Sequence, residues 1–147
     1  MMADTIRELI IQDIVSQLET LIGYGDVYRG RTYFVHDDLP AVSVLPGVET
    51  GESRHFGEQL LILPVAIHAV QVIGDNEFSP LAEEVLGALV DNIIGGRSNI
   101  SYTNDVRYIG GGVEDYPAAE DQTISVHIDV EIKYSINVGD PYNQTNI

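Results

Sequence analysis

The chain of 147 residues contains no cysteine. That excludes disulfide stapling, thiolate catalysis and cysteine-ligated zinc. Cations are scarce as well: seven Lys and Arg stand against 23 Asp and Glu, a formal charge of −16. Nucleic-acid binders neutralise phosphates with clustered basic side chains; no such cluster occurs, and specific DNA or RNA binding is not expected. The opening MMADTIRELI has neither a basic nor an apolar leader region, so no signal peptide is expected. The most apolar run, LLILPVAIHAVQVI, is interrupted by Pro64, His68 and Gln71 and is too short to span a bilayer. These absences point to a soluble intracellular protein with no membrane partner.

What is present suits one ordinary domain. Hydrophobic residues make up 44% and charged residues 20%, enough apolar material for a single core. Ile6, Leu9, Ile10, Ile14, Leu18 and Leu21 recur at helical spacing, with Asp4 or Thr5 as N-cap and Gly23 and Gly25 as terminators. A second stripe of Leu81, Val85, Leu86, Leu89 and Ile93 predicts a helix that opens at Ser79-Pro80 and stops at Gly95-Gly96. Strands are expected at Asp26 to Val35, Pro40 to Pro46, Gln59 to Ile73, around DVRYI, and at Thr123 to Asn137. Pro64 cannot donate to a ladder and predicts an edge or a bulge. Gly110-Gly111-Gly112 reads as a tight or bulged turn, since two acids follow it and no phosphate-loop ending does. Arg29 and Arg31 share one strand face and predict salt bridges to the acidic excess.

This order has no strand–helix–strand alternation. It predicts an α+β layer pair: a mainly antiparallel sheet of four to five strands with two helices on one face. Residues 1–138 form the domain, Gly47 to Glu58 a projecting loop or hairpin, and 139–147 a loose tail. A 15-residue strand spans roughly 50 Å, against a domain diameter near 40 Å. Such strands must curve or reach past the domain, which favours contact between subunits.

The last strand, TISVHIDVEIKYSIN, alternates without a fault. Its polar face carries His127, Asp129, Glu131 and Lys133 at steps of about 6.6 Å. Metal donors must converge within about 2–2.6 Å of one point, so this row reads as a wall or subunit interface in preference to a metal site. Glu49, Glu52, Arg54 and His55 are candidate intersubunit residues of the polar arm. His68 reads as a satisfied strand histidine, and His36 sits in a turn before two aspartates. No serine lies in a nucleophile-elbow context, so neither catalysis nor a cofactor is expected.

Several whole segments carry a likeness: VYRGRTYF, DDLPAVSVLPGVETGE, FGEQLLILPVAIHAV, VRYIGGGVEDYP and SVHIDVEIKYSINVGDPY. In these the chain resembles the tail terminator proteins (the minor tail protein U-like family) of long-tailed bacteriophages. The resemblance implies a hexameric ring on the head-proximal end of the tail tube, within the virion. It would stop tube polymerisation and offer a surface to the head connector protein, without cofactor or catalysis. DNA would pass through such a ring, and an acidic wall would let it slide. The alternatives are a head–tail joining protein, a small metal- or ligand-binding domain using the acidic face, and a plain monomer.

Overall fold

The computed structural model describes residues 4–21, 26–32, 34, 38–55, 57–74, 77–115 and 123–144. The first helix, α1 (Ile6–Leu18), is capped by Thr5, whose hydroxyl accepts from the Glu8 N–H at 3.0 Å. Its stripe of Ile6, Ile10, Ile11, Ile14 and Leu18 is buried. Strand β1 (Asp26–Arg29) pairs parallel with β2 (Ala41–Pro46), and β2 pairs antiparallel with β4 (Glu58–Val72). Between β2 and β4 lies β3 (Thr50–His55), followed by helix α2 (Phe78–Val90) and a π-helical turn at Asp91–Gly95. The chain then forms β5 (Thr103–Asp115) and β6 (Thr123–Asn137), giving the strand order β1-β2-β4-β6-β5, with β3 beside β4.

The fold is α+β, with a mostly antiparallel sheet and two helices. The sheet has six strands, beyond the four to five expected, and β1–β2 is a parallel pair. The sixth strand comes from a polar segment. Of the loop or hairpin expected at Gly47 to Glu58, the structure has the hairpin: Thr50–His55 pairs with the first half of β4 and turns at Gly57, whose φ of +82° suits glycine. Strand β5 continues through the three glycines, paired with β6, and at Gly111 both β6 and α2 come close. A Cβ on Gly111 would lie 2.6 Å from the His127 carbonyl oxygen and 3.1 Å from Leu86 Cδ1.

Pro64 sits where β4 changes neighbours, between the β2 ladder ending at Val65 and the β3 ladder beginning at Ile62. Its carbonyl accepts from the Gly47 N–H at 2.7 Å. In a strand a residue's N and O face the same neighbour, so its missing donor falls at this break and interrupts neither ladder. Pro80 lies inside the first turn of α2, with Glu77 and not Ser79 at the cap. First-turn N–H groups have no intrahelical partner, so a proline there is harmless.

Strands β4 and β6 pair over all 15 residues of each, from Glu58↔Asn137 to Val72↔Thr123. Their inward rows, Leu63, Val65, Ile67 and Ala69 on one and Ile124 to Tyr134 on the other, meet the helices in one core with Val42, Val44, Leu89 and Ile93. Each fully buried Ile or Leu contributes about 1.5–3 kcal/mol relative to exposure. The C-terminal segment is tied back, not loose, as far as Gln144. Ile6 N–H donates to Pro141 O at 2.8 Å, and Gln144 Nε2 donates to Tyr102 O at 2.7 Å. No helix among the described residues is long and apolar enough to cross a membrane.

Candidate functional site: the uncovered sheet face

The face of the sheet opposite the helices carries the polar row of β6. Register fixes each neighbour. His127 lies between His68 of β4 and Gly112 of β5, and Asp129 between Ala66 and Gly110. Glu131 lies between Pro64 and Arg107, and Lys133 between Ile62 and Asp105. Arg107 and Glu131 approach to 3.8 Å with the arginine mostly exposed, a pair contributing at most about 1 kcal/mol. His127 Nε2 is 3.5 Å from Asp129 Oδ2. The four candidate side chains thus share one face as a strip, two acids between His127 and Lys133, and they do not converge.

Beside this strip runs an apolar row on β4, Leu60, Ile62, Pro64, Ala66, Val70 and Val72, half-buried except for exposed Pro64. Between the rows is a shallow cavity of about 320 Å³, lined by Leu45, Pro64, Ala66, Ile109, Asp129 and Glu131. Ile109, in the β5 bulge, is 51% exposed. The cavity has carboxylates on one wall and no nucleophile. Ser43 is buried, with its Oγ accepting from the Arg31 N–H at 3.2 Å, and Ser135 is buried too. Among the described residues no group of three or more His, Cys, Asp or Glu is arranged to hold a metal ion.

At the other end of the candidate set, the Glu49 side chain turns inward. The Tyr134 hydroxyl donates to its carboxylate, and Arg7 Nη1 lies 3.8 Å from the same oxygen while Arg7 Nη2 donates to Gly47 O at 3.1 Å. Burial first, then the Glu49 hydrogen bond and charge, push the Tyr134 phenol well above its usual range. Glu49 therefore joins α1, the start of β3 and β6 within one subunit. The physical reason is that a tyrosine at an inward strand position needs a partner for its hydroxyl. Glu52, Arg54 and His55 lie on β3, with their side chains outside the described set, and His36 lies outside the described residues.

The two strand arginines also find carboxylates, though on different sides. Arg29 makes a two-pronged pair with Glu8 at 2.6 Å, which holds the Glu8 carboxyl below its usual range. Strand β1 ends before Gly30, and Arg31 then turns over the Tyr28 and Phe34 rings, 4.5 and 5.0 Å from their centres, and pairs with Asp38 at 2.7 Å. His68, read from sequence as facing the side of the sheet away from the apolar face, does so, whereas sequence reasoning missed Arg107 and Ile109, because only the pairing of distant strands brings them there.

Among the described residues the features define an α+β layer protein with its helices on one sheet face and, on the other, two acids beside an apolar row. Compared with known protein families the chain matches none, and no curated protein is significantly similar to it.

Proposed function

We propose that the chain is a tail terminator: a non-enzymatic subunit of a ring, most simply a hexamer, that caps the head-proximal end of a phage tail tube and receives the head connector. The observation that carries the reading is the helix-free face of the 15-residue strand pair. Its apolar row suits burial against protein, and its acidic row suits a surface past which DNA slides. The net charge of −16 supports the same reading. So do the segment likenesses spread over most of the chain.

In this account Asp129 and Glu131 line the passage or its rim, and the Leu45–Pro64–Ile109 hollow takes an apolar side chain of a neighbouring protein. The ring works in the virion, with assembly in the host cytoplasm. The test is to add the purified chain to growing tail tubes. Capping is expected to arrest elongation and to place density at one end of each tube in electron micrographs. Tubes that elongate unchanged, with bare ends, would refute the terminator role. Binding to isolated connector but not to tube would instead assign the chain as a head–tail joining protein.

A further inference from the structure

His68 and His127 are directly opposed at the middle of the two longest strands, a juxtaposition the ring account does not use. Residues so opposed on one face hold their Cβ atoms about 4.5–5.5 Å apart. Here the ring centres are 5.6 Å apart, with planes inclined by 38°. Two imidazoles sharing one zinc ion, at about 2.0–2.1 Å per nitrogen and near the tetrahedral angle, have ring centres roughly 5 Å apart. The pair already stands at ligating separation, and the ring torsions that would aim the nitrogens are soft.

The two nitrogens of His127 are in different situations. Nε2 faces the Asp129 carboxylate at 3.5 Å, while Nδ1 is buried and has no hydrogen-bond partner. Ligating histidines show this division: one nitrogen binds the ion and the other N–H is oriented by a carboxylate.

We propose that His68 and His127 together bind one imidazole-preferring divalent cation, of the Zn²⁺ or Ni²⁺ class, with Asp129 as a positioning residue and water at the remaining positions. Imidazole favours these ions over Mg²⁺ and Ca²⁺, which seek oxygen donors. The bound ion ties β4 to β6 at mid-length, and it stabilises the folded chain by mass action. The site is independent of ring formation, so the two readings fail separately.

The test is calorimetric titration of the full chain with ZnCl₂ in excess MgCl₂, which occupies the surface carboxylates. One ion per chain at sub-millimolar zinc is expected, with at least tenfold weaker binding in His68→Ala and in His127→Ala. Asp129→Asn is expected to weaken binding about tenfold while leaving the melting temperature of the zinc-free chain unchanged. Because an alanine variant could perturb the sheet, ¹⁵N spectra of the wild-type histidine rings provide a second readout, in which zinc shifts the His68 and His127 signals. Absence of binding, binding that survives both alanine substitutions, or ring signals that ignore zinc would overturn the proposal.

Discussion

The three consecutive glycines of β5 should respond to the same substitution in opposite directions. At Gly111 a new Cβ would meet the His127 carbonyl oxygen at 2.6 Å, Ile128 Cγ2 at 3.0 Å and Leu86 Cδ1 at 3.1 Å. The first of these is backbone and cannot rotate away, so β5 must shift from β6 or from α2. Overpacking of this kind costs about 1–3 kcal/mol. At Gly110 and Gly112, which look onto the open face, an added Cβ meets nothing within 4 Å, and neither has a left-handed φ. There the loss of unfolded-chain entropy dominates, and alanine should stabilise by about 0.4–1 kcal/mol. For a domain of this length each kcal/mol moves the melting temperature about 2–4 °C. Gly111→Ala is thus expected to melt about 2–12 °C lower, and Gly110→Ala and Gly112→Ala about 1–4 °C higher, by circular dichroism at fixed protein concentration. If all three variants move alike, or Gly111→Ala melts with the wild type, the close packing of Gly111 against β6 and α2 is wrong.

Other consequences are equally specific. Tyr134 has its phenol pushed upward in the folded state, so its contribution is complete below about pH 10, the ordinary tyrosine value, and is lost as pH rises beyond it. Tyr134→Phe should lower stability at pH 7 by about 0.5–3 kcal/mol and remove up to about 1.4 kcal/mol per pH unit of the alkaline fall, measured by urea unfolding between pH 7 and 11. Glu8 is held low by Arg29, so its contribution is present above about pH 4.3 and disappears as pH falls through its folded value. Glu8→Gln should cost at most about 1 kcal/mol at pH 7 and nothing once both states are protonated, since the pair is part-exposed. Asp129→Lys combined with Glu131→Lys should change stability by less than about 1 kcal/mol yet slow DNA passage through assembled tails, followed as ejection rate; unchanged ejection would remove these residues from the passage.

The elements with clean periodicity were legible from sequence, and those held by tertiary contact were not. Strand β6 begins and ends at the residues its alternation predicts, because one face is buried throughout and a single-residue slip would expose it. Helix α1 likewise carries its stripe and its cap in adjacent residues. Strand β5 hid its length in three glycines, of which only Gly111 is closely approached, by the β6 backbone and by α2, contacts no local pattern records. Strand β3 is polar and takes its conformation from pairing with β4. Of the candidate site, the shared face of His127, Asp129, Glu131 and Lys133 followed from period two alone. That His68 stands opposite His127, and that Glu49 turns inward to Tyr134, depends on register between segments far apart in sequence.

A ring of six such chains would carry a formal charge near −96, six times −16, and should assemble more readily as salt shortens repulsion to about 8 Å. The most direct measurement is therefore solution mass by light scattering behind size exclusion, at low and moderate salt, with and without tail tube. A species near 97 kDa, six times the 16.1 kDa chain, is expected to appear as salt or tube is added. A chain that stays at 16.1 kDa under every condition, tube ends included, would contradict the ring and leave the open sheet face to another purpose.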